Sequence, residues 1–243
     1  HMSKSKMRIG SILLVVAMLM TLLPVGVFAA EETLEESLMD AEKFCEDFQK
    51  AMETEAGPTW LQVGNAGLSY QYARDAVVAL EKGEEKDKAE ARLEAVKAVY
   101  DKVTKLDMSD KTDGFLQTSD GKTIDLHAAL VYFTNLETLN LSNNNLTDVG
   151  WLVNQTINEE GQVTDTASAF KNLKHLDLSD NPGITEKAYG SLTYVSLETL
   201  NLSNTGITTI APLTTHGGTP AIASSLVSLD VSGTAWSNFA ELW

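Results

Sequence analysis

The sequence has few cysteines and few basic residues, and each shortage excludes a class of protein. A single cysteine, Cys45, cannot form an intramolecular disulfide, so the fold does not depend on covalent cross-links. Lysine and arginine number 18 against 34 aspartates and glutamates, which gives a net charge of −16 at pH 7. A chain this acidic repels phosphate groups, so we expect neither nucleic acid nor an anionic membrane surface as a partner.

Patterns typical of enzymes are also absent from the sequence. The histidines show no metal-ligand spacing, and no nucleophile motif such as G-x-S-x-G occurs. His127 could be paired with Asp125 or Asp177 as a general base, but no nucleophile accompanies them. We therefore predict a non-catalytic protein that uses no cofactor and has no metal site.

A long apolar run is found only near the beginning of the sequence. A basic segment at residues 4–8 precedes the apolar stretch 12–23, and Val27-Phe28-Ala29 has the small-x-small pattern of a cleavage site. Residues 1–29 are thus predicted to be a signal peptide, with a cloning scar at 1–2; an uncleaved membrane anchor is the alternative. The mature protein is expected to be secreted or associated with the cell surface, without further membrane contact.

Residues 30–107 have the periodicity of amphipathic helices. Apolar residues recur at steps of three and four, and Gly57-Pro58 and Gly83 separate the segments. Three helices are predicted, near residues 33–55, 59–82 and 85–106. Short connections favour an up-down-up bundle, and Cys45 is expected to be a small core residue in it. Residues 108–121 are rich in turn formers and are predicted to be a joint.

The remaining part, residues 122–243, repeats itself. The octapeptide LETLNLSN occurs at 136–143 and again at 197–204. Aligned on it, four full units begin at Leu136, Leu173, Leu197 and Leu226, and KTIDLH at 122–127 is a partial unit before them. The shared frame is L-x-x-L-x-L-x-x-N/T-x-L/I, which indicates a stacked repeat architecture.

This frame resembles the signature of leucine-rich repeats. The unit LETLNLSNTGITTIAPL, from Leu197, is similar to repeats of internalin-like bacterial secreted and surface proteins. The resemblance implies an α+β protein in which the N-terminal three-helix bundle caps a short leucine-rich-repeat solenoid with a parallel, concave β-sheet. It further implies a bacterial binding module that recognises an extracellular protein or glycan. An architectural spacer that self-associates through its C-terminal repeat is the alternative.

Within each unit, x-L-x-L-x is expected to be a short strand whose leucines point into the core. Asn144 and Asn181, which follow the strands, can bond to backbone groups left open by the turn. Thr205 and Thr234 take that position in the last two units, so a weaker ladder is expected there. Two insertions, at 150–168 and 211–225, are predicted to be a hairpin and a loop; each is either part of a binding surface or a tolerated loop.

The other strand residues are expected to face the concave side in three columns. The first column contains Thr123, Thr138, His175, Thr199 and Ser228. The second contains Asp125, Asn140, Asp177, Asn201 and Asp230. The third contains His127, Ser142, Ser179, Ser203 and Ser232. We predict that the ligand contacts Asp125, His127 and the members of the first two columns from Thr138 to Asp230. The alternative is a solvated sheet surface, since the columns lack the Trp, Tyr and Arg that anchor tight interfaces.

Overall fold

The computed structural model describes residues 33–111, 126–214 and 220–242. These form two compact units, which we treat separately. The first contains residues 33–99 and 126–130, and the second contains the remaining described residues. The predicted signal peptide, residues 1–29, lies outside the described residues. No helix in the described ranges has the length and apolar character needed to cross a bilayer.

The described part of the chain begins with three helices, as the periodicity predicts. They are Leu34–Met52 (α1), Trp60–Val78 (α2) and Glu84–Asp101 (α3). Two capping boxes determine the starts of the first two: Thr33 exchanges hydrogen bonds with Glu36, and Thr59 with Gln62. Each box satisfies backbone N–H groups that the first turn of a helix leaves without a partner. The third helix ends five residues earlier than the periodicity predicts, near residue 101 instead of 106.

The core of the first unit is filled by large side chains. Phe48 and Trp60 are fully buried, and Cys45 is 4% exposed, with its Sγ 4.0 Å from the carbonyl oxygen of Val96. Cys45 is therefore the core residue that the sequence predicts.

At the surface, Arg92 of α3 binds α1. Its Nε and Nη2 donate to the two carboxylate oxygens of Glu42 at 2.6 and 2.8 Å, and its Nη1 donates to Glu35 at 2.8 Å. These bonds from the guanidinium lower the pKa of Glu42.

A fourth helix, Leu126–Leu130 (α4), replaces part of the predicted partial repeat. The prediction of a strand at 122–127 is wrong for Leu126 and His127, which are helical; residues 122–125 lie outside the described residues. Leu126, Ala129 and Leu130 are buried, and their spacing of three and four is that of one helix face. This face packs on α2, where the backbone of α4 lies close to Gly67.

The second unit is built on a five-stranded parallel sheet. The strands of the described residues are Lys105–Asp107 (β1), Thr138–Asn140 (β2), Val153–Ile157 (β3), Val163–Ser168 (β4), His175–Asp177 (β5), Thr199–Asn201 (β6) and Ser228–Asp230 (β7). The large sheet has the order β1-β2-β5-β6-β7, and β3 and β4 form a separate hairpin. The four predicted repeat strands are thus confirmed.

The first strand of the sheet is β1, within what the sequence predicts to be the end of the third helix. Lys105 pairs with Thr138 and Asp107 with Asn140. Leu106 is 1% exposed and Met108 is fully buried, as are the leucines at matching positions of the later repeats. The segment KLDMSDK therefore follows the repeat frame, and the prediction that 108–121 is only a joint is wrong for its first residues.

The asparagine ladder also has the predicted form. The side-chain amide of Asn181 donates to the carbonyl of Leu141 in the preceding repeat at 3.0 Å, besides carbonyls of its own turn. Thr205 and Thr234 each donate only to a carbonyl of their own turn, at 2.6 Å. Replacing Asn with Thr therefore removes the side-chain bond between repeats.

The insertions differ in how well they were predicted. The first contains the expected hairpin, β3 and β4, with its tip at residues 158–162 and Gly161 at φ +80°. The second is not simply a loop, because a 3₁₀ helix, Ala211–Leu213, and a short helix, Ala221–Ser225, occupy its described parts. A further short helix, Tyr189–Leu192, follows β5.

Candidate binding face of the sheet

The candidate site is the polar face of the five-stranded sheet, formed by the residues that flank the central leucine of each strand. Pairing aligns them in two rows. The first row contains Lys105, Thr138, His175, Thr199 and Ser228, and the strand-end row contains Asp107, Asn140, Asp177, Asn201 and Asp230. Eight predicted site residues are thus brought together. His127 lies in α4 instead, Asp125 and Thr123 are outside the described residues, and the two positions at β1 belong to Lys105 and Asp107.

Each residue of the strand-end row caps the turn that follows its own strand. The side-chain Oδ1 accepts a hydrogen bond from the backbone N–H of the serine two residues later. The distances are 2.9 Å for Asp107, 3.0 Å for Asn140, 2.9 Å for Asp177, 3.0 Å for Asn201 and 2.9 Å for Asp230. Asp and Asn share this geometry, since either provides an oxygen to the Asx turn. The serine column is therefore a set of capping partners, and Ser179 and Ser203 are buried.

The carboxylates keep one oxygen for other contacts. In Asp177, Oδ1 accepts from both the backbone N–H and the hydroxyl of Ser179, the latter at 2.6 Å. Its Oδ2 lies 3.4 Å from the side-chain nitrogen of Asn201. In Asp230, the N–H and hydroxyl of Ser232 lower the pKa of the carboxyl group. Each capped aspartate presents its second oxygen at the edge of the strand.

A second polar row, not predicted from the sequence, lies three residues further along each repeat. This turn row contains Asp110, Asn143, Asp180, Asn204 and Gly233. All five have positive φ, from 53° to 66°, a region favoured by Asn, Asp and Gly. Asn143 donates to Asp110 at 2.6 Å, and Asn204 donates to Asp180 at 2.7 Å. The sequence signal for this row is the Asn, Asp or Gly that follows the serine in MSDK, LSNN, LSDN, LSNT and VSGT.

Charge alternates along both rows, with an amide between neighbouring carboxylates. Adjacent strands are about 4.8 Å apart, so Asp107, Asp177 and Asp230 are spaced by about 10 Å. The intervening amides prevent like charges from lying side by side. Together with Asp110 and Asp180 of the turn row, five carboxylates follow this edge of the sheet.

The first row is less charged than the other two. His175 Nδ1 lies 2.9 Å from the hydroxyl of Thr199, and Lys105 is the basic member of the row. A shallow depression of about 360 Å³ lies over this part of the sheet. Its lining consists of Thr138, Leu139, Asn140, His175, Leu176, Asp177, Thr199, Leu200, Asn201, Ser228 and Asp230.

The rows of carboxylates and amides on this face are suited to reversible polar contacts with a partner. Among the described residues, no three side chains of His, Cys, Asp or Glu come together as a metal site requires. The carboxylates are spread along an edge, where they can accept hydrogen bonds from ammonium or guanidinium groups.

Comparison with protein families agrees with the geometry. A model of leucine-rich repeats in two copies matches residues 134–188, and a single leucine-rich-repeat model matches residues 196–216. Comparison with curated proteins finds no match. The matched residues include β2, β5 and β6, whose leucines point into the core, and the ladder residues Asn144 and Asn181. Residues 134–188 and 196–216 of the chain are therefore leucine-rich repeats.

Proposed function

We propose that this protein is an exported, non-catalytic module that binds a basic segment of an extracellular protein through the polar face of its sheet. The observation that carries the proposal is the line of five carboxylates in the strand-end and turn rows. The internalin-like resemblance supports a bacterial surface protein. Leucine-rich repeats generally mediate protein–protein interaction, and this face offers no aromatic platform for a sugar.

Binding through this face would be weak and dependent on salt. Exposed carboxylates are screened at physiological ionic strength, and such charge pairs contribute more to the association rate and to selectivity than to affinity. The amides of Asn140 and Asn201 add donors and acceptors that fix the register of an extended partner. A partner with basic residues about 10 Å apart would meet Asp107, Asp177 and Asp230 in turn.

The test begins with residues 30–243 as bait for extracellular proteins, and continues with charge-removing variants. In the double variant Asp107→Asn/Asp177→Asn, each new amide retains the oxygen that caps the turn. We expect affinity for the captured partner to fall about tenfold, about 1.4 kcal/mol, and its salt dependence to weaken. The matched control is Glu159→Gln/Glu160→Gln, which removes two charges at the hairpin tip. Equal affinity in both double variants would contradict binding through the sheet face.

Self-association through the C-terminal repeat is a second candidate, favoured by the exposure of that repeat. Leu229 and Val231 are half-buried, whereas the matching Leu200 and Leu202 are 2% and 0% exposed. Val227 is 85% exposed, at a position where the three preceding repeats have exposed Glu or Lys.

If the terminal repeat mediates self-association, Val227→Glu should reduce it. The charge would be desolvated in the interface, so we expect the dimer dissociation constant to rise at least tenfold. Light scattering over a concentration series measures this. Val78→Glu, which alters a 66% exposed valine of the first unit, is the control, and equal behaviour of the two variants would refute this candidate.

A further inference from the structure

The hairpin of β3 and β4 stands apart from the five-stranded sheet. Residues 154–157 of β3 and 163–165 of β4 are all exposed. Near the tip, Ile157 and Val163 face each other and are 58% and 51% exposed. A two-stranded hairpin is marginally stable by itself in water, and this one leaves apolar surface uncovered.

The outer edge of β3 carries backbone groups that β4 does not use. The N–H of Ala169 donates to Leu152 at 2.8 Å, and the N–H of Asn158 donates to Gln162 at 2.9 Å. Because ladder bonds in an antiparallel pair recur at every second residue, the even-numbered residues of β3 bond to β4. The N–H and C=O of Gln155 and Ile157 and the C=O of Val153 therefore point away from β4, whereas the N–H of Val153 donates to the carbonyl of Gly150. Within the described residues, no other strand pairs with this hairpin.

The sequence of β3 lacks the usual protection of such an edge. Edge strands are normally shielded by lysine, proline, a bulge or inward-pointing charges. The strand VNQTI has no charge, no proline and no glycine. The irregularity in the hairpin is an extra residue in β4, Thr164, so the outer edge of β3 stays regular.

We propose that β3 pairs antiparallel with β3 of a second copy of this chain, about a two-fold axis at Gln155. Val153 then lies opposite Ile157 of the other copy, Asn154 opposite Thr156, and Gln155 opposite Gln155. The N–H and C=O of Gln155, the N–H of Ile157 and the C=O of Val153 then find partners across the axis, while the N–H of Val153 keeps its bond to the carbonyl of Gly150. The two hairpins become one four-stranded sheet, and the exposed Ile157 acquires an aliphatic neighbour across the strands.

A second copy fits this edge because the strand is complementary to itself. An isologous contact requires that no like charges meet across the axis, and β3 has none. The remainder of the chain opposes association, since each copy carries a net charge of −16. Salt screens this repulsion, so the dimer is expected to strengthen as ionic strength rises. Binding of a basic partner to the sheet face would instead weaken with salt.

The experiment is sedimentation velocity with the mature chain at low and high salt. Concentrations extend to about 1 mM, a dissociation constant that corresponds to about −4 kcal/mol of binding free energy. The wild type is expected to dimerise, more strongly at high salt. Gln155→Lys and Gln155→Glu each place like charges opposite each other at the axis and should weaken dimerisation by roughly fivefold or more. A mixture of the two variants pairs opposite charges and should recover dimers. The control is Thr166→Lys, on the edge of β4 that the proposal does not use.

Several outcomes would overturn the proposal. A wild type that stays monomeric throughout the concentration range would do so, as would a dimer that Gln155→Lys and Thr166→Lys weaken equally. A dimer that responds to Val227→Glu but not to Gln155→Lys would place the contact at the terminal repeat. The variants at Gln155 and Val227 do not alter the sheet face. Absence of the hairpin dimer would therefore not decide whether a basic partner binds that face, which the aspartate variants test separately.

Discussion

Asn181→Ala is expected to lower the free energy of unfolding by about 3–5 kcal/mol. The residue is fully buried and joins two repeats. Its amide nitrogen donates to the carbonyls of Leu141, Leu178 and Ser179. Its amide oxygen accepts from the N–H groups of Asn144 and Leu146. All five distances lie between 2.9 and 3.0 Å. Alanine would leave several of these groups buried without a partner, at about 1–3 kcal/mol for each group fully orphaned.

Urea denaturation followed by circular dichroism measures this loss. The control is Asn201→Ala, at a half-exposed strand-end position where the amide oxygen caps one N–H group, at 3.0 Å. We expect that control to lose about 1 kcal/mol or less. Asn181→Thr should fall between the two, since a threonine at the same position in the next repeat bonds to its own turn. Equal losses in the two alanine variants would show that the ladder does not hold adjacent repeats together.

The repeat strands from β2 onward could be predicted because their leucines recur in a fixed frame. That spacing reports which side chains are buried together. Because identical frames stack on each other, it also leaves one possible register between neighbouring strands. The first strand was missed for a physical reason. In KLDMSDK, Met108 stands for leucine and Lys111 for the ladder asparagine. The preceding valines also extend a helical period through Leu106, so local periodicity alone favours the wrong element.

For the segment around Leu126 the prediction was wrong in the opposite sense, because a strand was predicted where the structure has a helix. TIDLH alternates apolar and polar residues like a strand, but Leu126, Ala129 and Leu130 also share a helix face. A short segment satisfies both periods, and packing decides between them. Only the tertiary contact with α2, at Gly67, favours the helix.

The columns of the candidate site were predictable, but the roles of their members were not. Once the frame is known, alternation places Asn140 and Asp177 on the same face. The Asx caps depend on side-chain rotation, which spacing does not report. The turn row depends on positive φ at Asn143 and Asp180, which becomes evident only when the turn is built. Asp and Asn can thus replace each other as caps of the turns, although only Asp carries a charge. The fold therefore does not determine which positions along this edge of the sheet are charged.

Gly67→Ala is expected to destabilise the first unit by about 2 kcal/mol, although alanine is the better helix former. A Cβ at this position would lie 2.7 Å from the carbonyl oxygen of Ala128, 2.8 Å from that of Ala129 and 3.0 Å from the Ala129 Cα. All three are backbone atoms, so relief requires α4 to move away from α2. Overpacking of this kind costs about 1–3 kcal/mol or more, against a gain of about 1 kcal/mol in helix propensity.

Gly190→Ala is the matched control, because Gly190 is also helical and a Cβ there has no atom within 4 Å. It should be neutral or stabilising by up to about 1 kcal/mol. Urea denaturation measures both variants, and amide hydrogen exchange at residues 126–130 shows whether α4 has lost its packing. Helix propensity alone predicts stabilisation in both, so the opposite sign at Gly67 isolates the contact with α4. Stabilisation at Gly67 with unchanged exchange would contradict the close approach of these two helices.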